Sequence, residues 1–200
     1  MSCRFFIIIL KPNKCKFMVN FKELVALRRS HRKFLPDTVS SEDVRHILRA
    51  ALMSPTSKNR RSWQFVVVDD KEKLSELSEA KDSGAQLISD APLAVVVVGE
   101  KNDNDCWVED CSIAAITMQY QAEELGLGSC WVQMHGRTLA DGTDTEEVIR
   151  DILSIPDNMG ILCVVAIGHP ADERKPQNEE KLKWESVHEN KWSADDKAED

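Results

Sequence analysis

The 200-residue sequence predicts a single α+β domain, and three observations support this fold class. Apolar residues make up 42% of the chain, which is enough for one substantial core. The stretch PLAVVVVGE (92–100) is apolar on both faces and predicts a fully buried central strand. Around it, segments with helical periodicity alternate with short β-branched segments, and no internal repeat or linker interrupts them.

Capping residues and hydrophobic periodicity predict the other elements. Asn20 and Glu23 fit the N-cap and N3 positions of a first helix, over 20–30. Ser40 and Asp43 open a second helix with core-facing residues three and four positions apart. Further helices are predicted at about 71–80, 83–90 and 105–125 and in TEEVIRDIL (145–153), and further strands in WQFVVVDD (63–70), GLGSCWVQM (126–134) and ILCVVAIGHP (161–170).

The predicted helix at 105–125 is the longest, and its middle is apolar nearly all the way round. Residues 113–118 read IAAITM, with no charged side chain among them. A helix of this kind is buried on several sides. In a chain of this size, the pattern favours a helix that is shared with a second subunit.

The charges are distributed unevenly along the chain. Its net charge is −8, yet residues 1–70 hold 14 Lys/Arg against 6 Asp/Glu. A basic N-terminal third in an acidic chain predicts a local anionic ligand. It argues against a nucleic-acid partner, because nucleic-acid-binding domains are usually basic overall.

The six cysteines form no CxxC pair and no regular framework, which predicts reduced thiols in the cytoplasm. The apolar run FFIIIL (5–10) is far shorter than the roughly 20 residues that span a bilayer, so no membrane partner is expected. We expect residues 1–17 to be an N-terminal extension, 18–192 the domain, and 193–200 an acidic tail.

Several common catalytic motifs are absent from the sequence. No GxGxxG follows a predicted strand, there is no GxxxxGK[ST] loop, and HExxH and GxSxG do not occur. The five histidines are widely scattered, so no metal site is expected. Cys130, in a Gly-Ser-Cys-Trp stretch, is interpreted as a small buried thiol and not as a nucleophile.

Two polar segments are candidates for binding. In LRRSHRKF (27–34), a helix would place Arg28 and Arg32 on one face with the Ser30 hydroxyl nearby, a donor set suited to phosphate. The alternative is a helix C-terminus whose cations face water. The loop SPTSKNRRS (54–62) has the polar groups to wrap a heterocycle, and its alternative is an ordinary exposed loop before a strand.

Taken together and in this order, the segments resemble the FMN-dependent nitroreductase family. The resemblance runs from about Phe21 to Trp192. It includes RRSHRKF, the SPTSKNRRSWQFVVV block, DAPLAVVVV, the long helix DCSIAAITMQYQAEELGLGSCWV, and the closing IGHPADERKP and VHENKW.

The resemblance implies a set of FMN-binding residues. Arg28, Ser30 and Arg32, with Arg29 beside them, would contact the flavin phosphate, ribityl chain and ring edge. The partner subunit would contribute a loop to the same flavin, and a strand backbone would lie along the isoalloxazine ring. These further positions are Pro55, Thr56, Ser57 and Asn59 in the loop, Cys130, Trp131 and Val132 in the strand, and Arg174 (or Lys175) as a cation that completes the phosphate site.

The resemblance also implies the architecture. The family fold is a mixed central sheet flanked by helices in three layers. It forms an intertwined homodimer with two FMN sites at the interface, and the Trp-bearing tail would wrap the other subunit. This chain departs from many relatives at Lys58, Arg60 and Arg61, where small residues are usual. The resemblance therefore does not imply that this chain shares the relatives' range of substrates.

The function that the resemblance implies is an NAD(P)H-dependent FMN oxidoreductase with a ping-pong cycle. Nitroaromatics, quinones or related small molecules would accept the electrons. The flavin carries the chemistry, so no catalytic side chain is assigned, although Arg32 would stabilise negative charge on the reduced flavin. The alternatives are an FMN-binding dimer for storage or scaffolding, another flavin chemistry of the family, and a nucleic-acid binder. NADH and NADPH are not distinguished.

Overall fold

The structure is a computed structural model that describes residues 20–192. The predicted N-terminal extension (1–17) and acidic tail (193–200) lie outside the described residues. The elements are α1 Phe21–Leu27, α2 Ser41–Leu52, β1 Trp63–Val68, α3 Lys71–Glu79, α4 Leu87–Asp90, β2 Leu93–Glu100, α5 Trp107–Glu124, β3 Gly128–Gln133, α6 Thr145–Leu153 and β4 Met159–Gly168. Short 3₁₀ turns occur at 57–59, 179–181 and 184–186.

The predicted caps of the first two helices are present. The Asn20 side chain accepts a hydrogen bond from the Glu23 N–H at 3.0 Å, and Ser40 does the same for Asp43 at 3.1 Å. Both bonds satisfy an N–H that the first helical turn leaves without an intrahelical partner.

Two predicted helices are shorter in the structure. The helix predicted over 20–30 ends at Leu27, because Arg28 has extended backbone angles (φ −56°, ψ 120°). The helix predicted over 83–90 forms only at α4, since Gly84 has φ +78° and the chain turns before Leu87.

The four strands form one sheet in the order β1-β2-β4-β3, and every neighbouring pair is antiparallel. The parallel component expected of a mixed sheet is, in the described part of the chain, an isolated bridge between Ser30 and Ser129. β4 is buried throughout and β2 up to Glu100, as the apolar run at 92–100 predicts. The α+β class is therefore confirmed.

Helices cover both faces of the sheet, which gives three layers. Val95 and Val97 of β2 pack with α2 and α5, whereas Val96 and Val98 pack with α3 and α6. This division follows from the alternation of side chains along a strand. The three-layer arrangement around a central sheet agrees with the prediction.

The beginning of α5 packs against a glycine position of the sheet. A Cβ atom added to Gly160 would lie 2.6 Å from Cη2 of Trp107, so the indole ring occupies space that only glycine leaves free. The contact fixes the N-terminal end of α5 on β4, close to where the sheet ends at Met159.

Several large apolar side chains remain exposed in the single chain. Phe21 is 69% exposed, Met53 67%, Trp184 70% and Trp192 81%. A groove of about 540 Å³ lies between α1, α2 and α5, lined mainly by apolar atoms of Phe21, Leu24, Ala50, Ile116 and Tyr120. The inner face of α5 is buried as predicted, and its outer face carries Ile113, which is exposed.

Candidate active site

The basic segment after α1 is extended and lies beside β3. Ser30 forms its bridge with Ser129, and the His31 N–H donates to the Ser129 carbonyl at 3.0 Å. The prediction that Arg28 and Arg32 share a helix face is wrong, because the helix ends before them. In an extended chain, alternate residues point to the same side, so Arg28, Ser30 and Arg32 still share one.

These three side chains and Arg174 all act on the Cys130 thiol. Burial raises the pKa of Cys130, and the charges of Arg32, Arg28 and Arg174 and a hydrogen bond with Ser30 reduce that rise without cancelling it. The structure thus brings together five of the predicted residues from three separate parts of the chain. A thiol with a raised pKa remains protonated at neutral pH, in accord with Cys130 as a structural residue.

The cations of this cluster differ in how their charge is balanced. Arg174 forms an ion pair with Asp172 at 2.5 Å, and His31 Nδ1 lies 3.0 Å from the other Asp172 oxygen. Among residues 20–192, no carboxylate forms an ion pair with Arg28 or Arg32. The charge of Arg28 acts on Glu123 without forming an ion pair, so both guanidiniums are open to pairing with a phosphate group.

Asp172 holds Arg174 at this position. Burial alone would raise the pKa of Asp172, but the hydrogen bond with His31 and the charge of Arg174 outweigh it, so the pKa is lowered. The carboxylate is thus charged at neutral pH and fixes both partners.

Arg29 points elsewhere. Its guanidinium donates to the Lys175 backbone carbonyl at 2.6 Å, which attaches the segment to the C-terminal part of the chain. The contact between Arg29 and the cofactor stays a prediction, and the Arg29 guanidinium already has a backbone partner within the chain. In an extended chain the side chains of Arg28 and Arg29 point to opposite sides. A helix predicted over this segment does not show that separation.

β3 lies at the edge of the sheet, next to the cluster. It is the last strand of the sheet, and beyond it the chain forms the Ser30 bridge to Ser129, while Lys81 donates to the Gln133 carbonyl at 3.2 Å. Cys130 and Val132 are buried, and the Trp131 indole N–H donates to the Gln133 side chain at 2.9 Å. Unpaired backbone groups of an edge strand are available to a ligand.

The predicted flavin loop forms a 3₁₀ turn before β1. The Thr56 hydroxyl accepts from the Arg61 N–H, and the Asn59 side-chain oxygen accepts from Arg61 Nε, each at 3.0 Å. Pro55 is exposed at the start of the loop, and Ser57 is half-buried. The loop is therefore a defined structure with its own hydrogen bonds.

A buried carboxylate that sequence reasoning missed anchors this loop to α5. Asp110, 2% exposed, accepts from the Ser57 N–H at 2.7 Å and from the Asn104 amide at 2.9 Å. The same amide donates to the Ser62 hydroxyl at 2.6 Å. The available signal was a carboxylate close to the apolar middle of the longest helix, but its partner was not identifiable from spacing.

The loop and the basic segment lie at opposite ends of α5. The loop bonds Asp110 near the helix start, whereas Arg28, Arg29 and His31 all act on Glu123 near its end. Thirteen residues of α-helix separate these positions by about 20 Å. Within one chain, the two halves of the predicted site therefore do not meet.

The described residues provide neither a metal site nor a membrane-spanning helix. Within 20–192, no group of three or more His, Cys, Asp or Glu side chains could hold a metal ion. No helix in the same part of the chain is long and apolar enough to cross a membrane.

The family model for the nitroreductase family matches residues 25–86 and 76–169, which include the basic segment, the loop and the whole sheet. The chain belongs to the nitroreductase family. The family prediction, with its class of oxidoreductases, is thereby confirmed.

Several relatives match this nitroreductase family chain over nearly their whole length. A protein of Archaeoglobus fulgidus, named an NADH dehydrogenase/NAD(P)H nitroreductase, is 33% identical over 175 residues, which cover 85% of this chain and 97% of that protein. A solved structure of an FMN-dependent nitroreductase from Clostridium difficile is 42% identical, with a TM-score of 0.83, and the match covers 84% of this chain and 98% of that one.

Another solved structure extends the likeness. It is an NADH dehydrogenase/NAD(P)H nitroreductase from Bacteroides thetaiotaomicron, 32% identical with a TM-score of 0.78, and the match covers 86% of this chain and 97% of that chain.

Proposed function

We propose that this protein is a homodimeric FMN-dependent oxidoreductase that uses NAD(P)H to reduce nitroaromatics, quinones or related small acceptors by a ping-pong cycle. The observation that carries the proposal is the pair of guanidiniums beside β3, Arg28 and Arg32, which form no ion pair with a carboxylate among residues 20–192. Unbalanced guanidiniums next to a hydroxyl and free backbone groups fit a phosphate followed by a polar chain.

The homodimer follows from the separation of the two binding segments. One FMN cannot contact both the basic segment and the loop of the same chain across about 20 Å of α5. In a two-fold dimer, the loop of each subunit can complete the site of the other. The exposed apolar side chains of α1, α2 and the C-terminal segment provide surface for such an interface.

The chain's own residues would bind and orient the cofactor. Arg28 and Arg174 would hold the phosphate, and Ser30 would donate to the ribityl chain. The β3 backbone near Trp131 would lie along the ring system. Asn59, presented by the loop that Asp110 anchors, would contact the flavin of the partner subunit.

The reaction needs little more from the protein. Bound FMN would supply the hydride chemistry between NAD(P)H and the acceptor, so the chain would need no acid–base pair of its own. Arg32 would oppose the negative charge that develops at the N1–C2 edge of the ring. The four described cysteines are unpaired, which supports our proposal of a cytoplasmic protein with reduced thiols.

The test begins with gently purified protein. Its visible absorption spectrum, followed by acid release and chromatography of the cofactor, should give FMN at about one per subunit. Oxidation of NADH or NADPH should then depend on acceptor and continue for many turnovers. Bound FMN without turnover would favour a storage role, whereas protein that neither carries nor takes up FMN would refute the proposal.

A further inference from the structure

The loop before β1 carries three exposed cations that the proposed FMN site does not use. Lys58, Arg60 and Arg61 lie within four residues in a chain of net charge −8. No carboxylate of the described chain forms an ion pair with any of them. Like charges at this spacing repel one another, so an anion bound among them would be stabilised.

Two of these cations are held in place by neutral acceptors. An Arg60 guanidinium nitrogen donates to the Asp103 backbone carbonyl, and Arg61 Nε donates to the Asn59 side chain at 3.0 Å. Neutral acceptors orient a guanidinium without cancelling its charge. A preoriented cation loses less conformational freedom when an anion binds.

The loop keeps bulky cations where the backbone favours glycine. Lys58 has φ +52° and Arg61 has φ +51°, both in the left-handed region. Non-glycine residues with such angles are uncommon, and they concentrate at binding and catalytic sites. These side chains therefore persist against the local backbone preference, which points to a role outside the loop itself.

The position of the cations suggests what they bind. Lys58 lies between Ser57 and Asn59, which the proposed function assigns to the flavin. Asp110 fixes the loop through the Ser57 N–H, so the neighbouring cations have a defined location relative to the flavin contacts. They would border the place where donor and acceptor meet the cofactor.

We infer that Lys58, Arg60 and Arg61 form a subsite for an anionic group carried by the molecule that reacts at the flavin. The inference rests on the proposed function and specifies its substrates. Two reactants can carry such a group. The donor does so as the 2′-phosphate that distinguishes NADPH from NADH, and the acceptor does so as a carboxylate or phosphate substituent.

The experiment compares neutralised variants with charged and uncharged versions of each reactant. Lys58→Gln, Arg60→Gln, Arg61→Gln and the triple variant remove charge at the subsite. Arg137→Gln removes the same charge from another exposed turn and serves as the matched control. Bound FMN is quantified in every preparation, and kcat/KM is measured for NADPH against NADH and for 4-nitrobenzoate against nitrobenzene.

We expect the triple variant to lose about tenfold or more in kcat/KM for one charged reactant, as expected for the loss of a charge-assisted hydrogen bond. The uncharged counterpart and the Arg137→Gln control should change little. Loss with NADPH alone would identify the donor phosphate, and loss with 4-nitrobenzoate alone would identify an anionic acceptor. Rising ionic strength should also reduce the preference of the wild type for that charged reactant over its uncharged counterpart.

If the triple variant retained FMN and had the same kcat/KM as the wild type for NADPH and for 4-nitrobenzoate, the inference would be overturned. The proposed function would remain intact. Calorimetric titration with adenosine 2′,5′-bisphosphate, 5′-AMP and 4-nitrobenzoate measures the subsite without turnover. A wild-type protein without FMN or turnover would overturn the proposed function. In that case, equal affinities of the wild type and the triple variant for all three probes, or no binding of any probe, would overturn the subsite as well.

Discussion

At the scale of single residues, the FMN proposal depends most directly on Arg28. Its guanidinium acts on the Cys130 thiol and has no ion-pair partner among the described residues. We expect Arg28→Ala to weaken FMN binding about ten- to hundredfold, because a hydrogen bond to a charged group contributes about 1.5–3 kcal/mol. Fluorescence titration of apoprotein with FMN measures this change.

The neighbouring Arg29 provides the comparison for that variant. Arg29→Ala removes the same side chain, but the guanidinium that is lost bonds the Lys175 carbonyl. It should therefore weaken FMN binding much less than Arg28→Ala. Equal losses from the two variants would contradict the alternation of side chains along 28–32.

Asp110 makes a second prediction at this scale. Asp110→Ala would leave the Ser57 N–H without an acceptor and would remove one of the two acceptors of the Asn104 amide, and a buried unsatisfied donor costs about 1–3 kcal/mol. We expect a loss of about 2–4 kcal/mol in the free energy of unfolding, together with weaker FMN binding, because the loop loses its anchor. Urea unfolding followed by FMN titration tests both effects. Ser112→Ala, on the same helix, removes only a hydroxyl that bonds the Val108 carbonyl and is the control.

At the scale of elements, the contact between α5 and β4 positions the loop's anchor. A Cβ at Gly160 would lie within 3.0 Å of three atoms of the Trp107 benzene ring. Gly160→Ala should therefore cost about 1–3 kcal/mol through overpacking. Trp107→Leu removes those ring atoms, so Gly160→Ala should cost less in that background. A double-mutant cycle by thermal unfolding measures the coupling, and strictly additive effects would argue against the contact.

Local signals in the sequence predicted most of the elements but not their mutual positions. The valine run of β2 and the caps of α1 and α2 were sufficient, because burial and capping depend on neighbouring residues. The end of α1 was misplaced by three residues, since Arg28 to Ser30 are compatible with a helix and only the pairing with Ser129 makes them extended. The anchor at Asp110 joins residues 53 positions apart, and no local pattern reveals such a contact.

At the scale of the whole molecule, the two segments of the proposed FMN site are far apart in the chain's fold. The basic segment lies at the β3 edge of the sheet and the loop precedes β1 at the other edge, with β2 and β4 between them. Three strand spacings place these edges about 14 Å apart. The exposed apolar groove of α1, α2 and α5 is also unexplained by a monomer. A dimer accounts for both features with a single symmetry operation.

Mixed dimers test this arrangement directly. A heterodimer that combines an Arg28→Ala subunit with an Asn59→Ala subunit has, if the sites form between subunits, one site with both changes and one with neither. We therefore expect it to bind FMN with wild-type affinity at half occupancy, although each parent homodimer binds weakly at both sites. If each site formed within one chain, both sites of the heterodimer would carry a change, and wild-type affinity would not return. A heterodimer of Arg28→Ala with wild type should show half occupancy under either arrangement, which calibrates the measurement.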